Sequence, residues 1–154
     1  MWPSRPSVWT FRGSEGCSTD GGRDERGARR KRGVRPFLPT RDFEVSRGFY
    51  EALGFELMLD GEGAIFRAWP ARQGFLLQRY FEPAWAANTM LQLMVDDLDA
   101  WWSHIQTLDL AGRFGVQPPK PPAVQPWGLR VAYLYDPAGV LWQVCQRRAG
   151  VSWD

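Results

Sequence analysis

An internal repeat constrains this chain more than any other feature. Arg41-Asp42-Phe43 returns as Asp96-Asp97-Leu98, and Tyr50 and Leu53 return as Ile105 and Leu108, always 55 residues later. In the first copy an extended segment, Pro36 to Thr40, precedes a helix entered at Asp42, with Phe43, Phe49, Tyr50 and Leu53 at near-helical spacing. Gly54 stops that helix, and strands follow at Phe55 to Leu59, Ala64 to Trp69 and Gly74 to Phe81. The second copy reads as a strand from Asn88 to Val95, a helix from Asp97 to Leu108, and strands near Phe114 to Val116, Leu129 to Tyr135 and Val140 to Gln146. Two β-α-β-β-β modules, about 36–82 and 88–146, make an α+β chain. Neither module is large enough to close a core alone, so their sheets should sit together around a shared cup.

Between the second helix and its last strands, Gln117 to Pro126 holds five prolines in ten residues and reads as an extended, poorly paired loop. That loop delivers Trp127. Pro126 fixes one backbone angle and Gly128 permits angles closed to other residues, so Trp127 is expected on a bend, exposed, and available to a ligand. Asp136-Pro137-Ala138-Gly139 is turn chemistry of the same kind. Tryptophans more often fill cores than bind ligands; Trp101 and Trp102 are neighbours on a helix and cannot share a face, so one of them is expected to pack under the sheet, and with Gln143 toward the cup Trp142 points to the opposite layer.

Charge is unevenly spread. Residues 1–35 hold nine of the 19 Lys and Arg but four of the 17 Asp and Glu, which makes this arm about +5 and the remainder about −3. With no apolar periodicity around Arg29-Arg30-Lys31-Arg32, residues 1–35 read as a disordered basic extension ahead of a domain at 36–150. The arm could touch nucleic acid nonspecifically or mimic a transit peptide. No stretch of 18 apolar residues occurs, so no membrane partner is expected. Cys17 and Cys145 lie in different regions and suggest reduced thiols in a cytoplasmic setting.

Common catalytic signatures are missing. There is no nucleophile elbow, no phosphate-cradling glycine loop, and no histidine spaced to serve either cysteine. Asp96-Asp97 and Asp42 sit where helices begin and read as caps. His104, the one histidine, falls inside the second helix and reads as a packing or surface residue.

Arg41-Asp42-Phe43 with Phe49-Tyr50-Glu51 and Leu53-Gly54-Phe55, then Val95-Asp96-Asp97-Leu98, Gln125-Pro126-Trp127-Gly128 and Asp136-Pro137-Ala138-Gly139, together resemble the vicinal oxygen chelate superfamily. Within it they are most similar to the bleomycin resistance proteins. The resemblance covers about residues 36–146 and implies the glyoxalase/bleomycin resistance fold, a curved mixed sheet from each module around a shared cup. In metal-dependent members, His and Glu hold the metal on the first and last strand of each module. The matching positions here are Arg35, Met90, Gln78 and Gln143, with a residue or two of play at Gln78. None offers an imidazole or a carboxylate, so no metal and no other cofactor is expected.

The resemblance therefore implies a metal-free, dimeric binding protein. It would sequester bleomycin-type glycopeptides or a similar flat cationic molecule, with Trp127, Gln143, Gln78 and Phe66 as ligand contacts and no catalytic residue. The negative domain would favour a cation. The alternative is a metal-dependent lyase or dioxygenase of the same superfamily with altered ligands.

Overall fold

Helix caps set the frame, as the repeat requires. In the computed structural model, which describes residues 34–68 and 73–147, the Asp42 carboxylate accepts a hydrogen bond from the Val45 amide at 3.1 Å. Its repeat partner Asp97 accepts from the Ala100 amide at 2.9 Å. These bonds satisfy amides that the first helical turn leaves unpaired. The readings made for residues 1–33, Cys17 and Trp69 lie outside the described residues.

The first module runs β1 (Phe37–Pro39), α1 (Phe43–Ala52), β2 (Glu56–Leu59), β3 (Gly63–Arg67) and β4 (Gly74–Gln78). The second follows as α2 (Pro83–Asn88), β5 (Met90–Met94), α3 (Leu98–Gln106), α4 (Leu110–Phe114), β6 (Lys120–Val124), β7 (Leu129–Tyr135) and β8 (Leu141–Arg147). Each module forms a four-stranded mixed sheet, ordered β1-β4-β3-β2 and β5-β8-β7-β6. In both, the first strand pairs parallel with the last and the other pairs are antiparallel. The fold is α+β, two β-α-β-β-β modules, each carrying one mixed sheet.

Two local expectations are corrected. The strand expected at Phe114 to Val116 is instead the end of α4, which closes at Gly115 with φ +66°, a left-handed conformation suited to glycine. The proline-rich stretch is not an unpaired loop. Lys120–Val124 is a strand, although Pro121 and Pro122 lack amide donors. It survives because it is the sheet's edge and because its pairing with β7 shifts register between Lys120 and Ala123, around the two prolines.

One core serves both modules. Leu38, Phe43, Phe49, Tyr50, Phe66, Phe75 and Leu77 of the first pack with Ile105, Leu110, Leu134 and Trp142 of the second. Each fully buried ring or aliphatic chain contributes about 1.5–3 kcal/mol relative to exposure. At the centre, the Tyr50 hydroxyl donates to Asp136 Oδ2 at 2.7 Å and accepts from Trp142 Nε1 at 3.1 Å. Asp136 Oδ1 accepts the Ala138 and Val140 amides at 2.9 and 2.8 Å, which holds the turn between β7 and β8. Tyr50 belongs to α1, so the network fastens the first module's helix to the second module's last hairpin.

Burial raises the Tyr50 hydroxyl far above its usual range, with the neighbouring Asp136 adding to the effect. Burial also raises the Asp136 carboxyl, against lowering by Tyr50 and the turn amides. In both cases the folded state binds the proton more tightly than the unfolded state, so stability falls as pH rises through each window. For Tyr50 that window opens at about pH 10. Urea denaturation should show an alkaline loss of stability that Tyr50→Phe flattens. At pH 7 the same variant should be less stable by about 2–3 kcal/mol, because Asp136 and the Trp142 indole each lose a buried partner.

Candidate functional site

Side-chain alternation divides each sheet into a face toward the core and a face turned away from it. On β8, Trp142 and Val144 pack inward, while Leu141, Gln143 and Cys145 take the outer face. Pairing registers extend that outer face into rows. Gln143 aligns with Gln92 on β5 and Tyr133 on β7, and Tyr133 aligns with Lys120 on β6. Met90 and Met94, 64% and 43% exposed, flank Gln92 along β5. Beyond this row Leu129, Val131 and Cys145 form a small buried cluster that Tyr133 joins. Burial raises the Cys145 thiol, partly offset by the Gln92 side chain.

The first sheet gives the matching row. Phe37 aligns with Leu76, Leu76 with Ile65, and Ile65 with Leu59. Because the helix caps fix the repeat at 42 and 97, Phe37 stands where Gln92 stands, and Leu76 where Gln143 stands. Gln78 is therefore not the counterpart of Gln143; it lies two residues further on, beside Pro39 and Gly63, in the place that Cys145 occupies in the second module. Gln78 and Gln143 do share the outward orientation, each on its own sheet.

Phe66 faces the core. It is fully buried, stacked on Phe75 at 17° with ring centroids 5.6 Å apart and in contact with Tyr50. The alternation that sets Phe66 inward follows from its pairing with Phe75, which sequence alone did not fix. Trp127 is 50% exposed. It sits at the tip of the β6–β7 hairpin, where the Gly128 amide donates to the Gln125 carbonyl and the Gln125 amide to the Leu129 carbonyl. Gly128 has φ +89°, the left-handed glycine that closes such a three-residue hairpin loop. The β7–β8 turn repeats this geometry, with Gly139 at φ +96° and the same two bonds between Asp136, Gly139 and Val140. Ala138 fills the position equivalent to Trp127 there and is buried, so the turn itself does not force the indole outward.

Asp97 caps α3, Asp96 lines a hollow of about 360 Å³ with Met94, Val95, Gln146 and Arg147, and His104 is exposed in the last turn of α3. The positions that the resemblance assigns to a metal, Arg35, Met90, Gln78 and Gln143, present a guanidinium, a thioether and two amides. Among the described residues no three His, Cys, Asp or Glu side chains converge. This donor set does not fit a divalent metal.

Sequence reading missed Gln92, Tyr133 and Lys120. The 55-residue offset could have led to Gln92 from the first module, and alternation from Gln143 to Tyr133 once the hairpin was aligned. Lys120 was hidden inside the stretch read as a loop.

A model of the Glyoxalase/Bleomycin resistance protein/Dioxygenase superfamily matches residues 34–144. The chain belongs to that superfamily. Among solved structures of the superfamily's fold, a bleomycin-binding protein complexed with bleomycin is 27% identical, with a TM-score of 0.60 over 77% of this chain and 100% of that one. A bleomycin resistance determinant encoded on the transposon Tn5 is also 27% identical, with a TM-score of 0.61 over 77% and 99%. The antibiotic-binding protein TnmS3 from Streptomyces gives 27% and 0.61 over 75% and 96%. No curated protein matches the chain by sequence.

As a superfamily member with an exposed hairpin tip, the chain should tolerate change at the ring but not at the hinge. Trp127→Ala should move stability by no more than about 0.5 kcal/mol, since the side chain lies outside the core. Gly128→Ala should cost about 1 kcal/mol or more, because alanine resists a positive φ. Matched urea melts of the two variants check both expectations.

Proposed function

We propose that this chain is a small-molecule sequestering protein that binds a flat antibiotic, with bleomycin-type glycopeptides the first to test. The observation that carries the reading is Trp127, a half-exposed indole held by a glycine-closed turn at the tip of a hairpin. An aromatic face presented this way stacks on planar rings at about 0.5–1.5 kcal/mol beyond area burial. The solved bleomycin-binding and antibiotic-binding structures, which the chain spans almost completely, support it. Gln143 supplies an amide on the outer face of the second sheet, and Gln78 one on the first. Phe66 acts indirectly, by packing behind the sheet.

The working form we propose is a homodimer. The outer faces leave Phe37 56%, Met90 64% and Met94 43% exposed, apolar surface that a second copy would cover while closing a cleft over Gln143. No step of chemistry on the ligand is required, and protection would come from mass action alone.

Titration of the purified full chain with metal-free bleomycin should quench tryptophan fluorescence with saturation, and Trp127→Ala should abolish most of that change. Unaltered quenching in the variant would remove Trp127 from the site. By light scattering after size exclusion the chain should run as a dimer, and Met90→Lys should shift it toward monomer and weaken binding in parallel.

A further inference from the structure

We propose that the ligand is an oxygen-rich planar molecule with an acidic end, read by the row Gln92, Gln143, Tyr133 and Lys120, and not a cation. This rests on the reading that the outer face of the second sheet holds a flat small-molecule ligand, and it narrows that reading by ranking an acidic planar ligand above cations of the bleomycin type.

The row crosses all four strands in one line, β5 to β8 to β7 to β6. Three strand spacings make it about 14 Å long, the span of a three-ring planar system with a substituent. Each member is a hydrogen-bonding group: two amides that donate and accept, a phenol that does both, and an ammonium that only donates. Gln92 and Lys120 are exposed, and Gln143 and Tyr133 half-buried, so the groups remain accessible along the line. The rows on either side are largely apolar, Met90-Leu141-Tyr135 and Met94-Cys145-Val131-Ala123. A ligand lying along the polar row would satisfy oxygens at its edge and rest its ring faces against thioethers and aliphatic groups. The corresponding row of the first sheet is Phe37, Leu76, Ile65 and Leu59, without a polar atom in its side chains. The repeat has thus kept one row apolar and made the other a line of donors.

Charge placement sets the sign of the preference. The described residues carry twelve carboxylates, and they cluster on helices, caps and turns: Asp42, Glu44 and Glu51 around α1, Asp97 and Asp99 around α3, Asp136 buried in the core. Within the strands only Glu56 occurs, and Arg67 already binds it at 2.6 Å. At the second sheet, Asp96 shares its hollow with Arg147. Lys120 makes no ion pair among the described residues. The net negative charge of the domain favours a cation only at long range. No carboxylate aligns with this row or with the rows on either side of it, and exposed charges beyond about 8 Å are largely screened at physiological salt, so the ammonium sets the sign along the row.

Two matched probes separate the outcomes: anthraquinone-2-sulfonate, and the same ring carrying a quaternary ammonium at that position, each titrated into the full chain at 0.15 M salt by tryptophan fluorescence and calorimetry. The wild type should bind the sulfonate at least tenfold tighter than the ammonium probe. Lys120→Glu, a change on an exposed edge strand, should reverse that order, with an unchanged urea midpoint showing that the fold is intact. Gln143→Leu should weaken both probes alike, because the quinone oxygens are common to them. If both probes bind wild type equally, or the ammonium probe binds better, the acidic-ligand inference is overturned while sequestration of a planar molecule stands. If bleomycin quenches and neither probe binds, the acidic-ligand inference is overturned while the binding reading stands; if none of the three binds, the binding reading fails with it.

Discussion

The hydroxyl of Tyr50 is the contact on which the rest of the structure depends. It lies on α1, yet both of its hydrogen-bond partners, Asp136 and Trp142, belong to the β7–β8 hairpin of the other module. A buried carboxylate without partners would be strongly destabilising, and Asp136 is tolerated because the hydroxyl and two turn amides bind it. The same carboxylate shapes the turn and anchors the helix, so the hairpin's geometry and the docking of the modules cannot be set independently. The rings of Phe55, Phe75 and Trp142 surround Tyr50 at centroid distances of 4.7 to 5.9 Å and exclude water from the network. Polar specificity and apolar bulk act together there.

Once that junction is fixed, the direction of every strand residue on the β4 and β8 sides follows. Phe75 and Leu77 on β4, and Trp142 and Val144 on β8, must point at the core, which leaves Leu76, Gln78, Gln143 and Cys145 on the faces turned away. A one-residue slip would exchange the two sets and bury the glutamines. The Arg130 guanidinium, bound to Asp99 at 2.9 and 2.7 Å and to Gln146 at 3.2 Å, pins α3 over the second sheet and adds to the register on the core side. The outer rows are therefore products of core packing.

Much of this was legible in the chain because it is governed by local chemistry. The caps at Asp42 and Asp97, the stop at Gly54, both glycine-closed turns and the strand–helix–strand order follow from residues within a few positions of one another. What escaped depends on partners distant in sequence. Pro121 and Pro122 argue against a strand until β7 is known to lie on one side only. The direction of Phe66 needs its pairing with Phe75 across the β3–β4 turn, and the counterpart of Gln143 needs the β1–β4 and β5–β8 registers. The pairing offset grows from 55 residues at the caps to 67 at the last strands, the extra twelve accommodating α4 and its flanks, so no constant offset leads from Gln143 to its counterpart Leu76.

The same lengthening separates the modules in surface chemistry. In the first, β2 follows the helix almost at once and ends the row with Leu59. In the second, α4 and the proline-bearing segment come first, and the row ends with Lys120 on a strand whose prolines keep it at the edge. An edge strand without a further neighbour leaves its long side chains free to reach a ligand, and the hairpin it enters carries Trp127 at its tip. One strand and the turn after it thus join the charged group to the stacking group, seven residues further along the chain. The first module, with neither, supplies core and an apolar wall. Two copies of one fold have diverged in the row that crosses the sheet and in the hairpin beyond its edge, where the second module carries polar and aromatic groups that the first lacks.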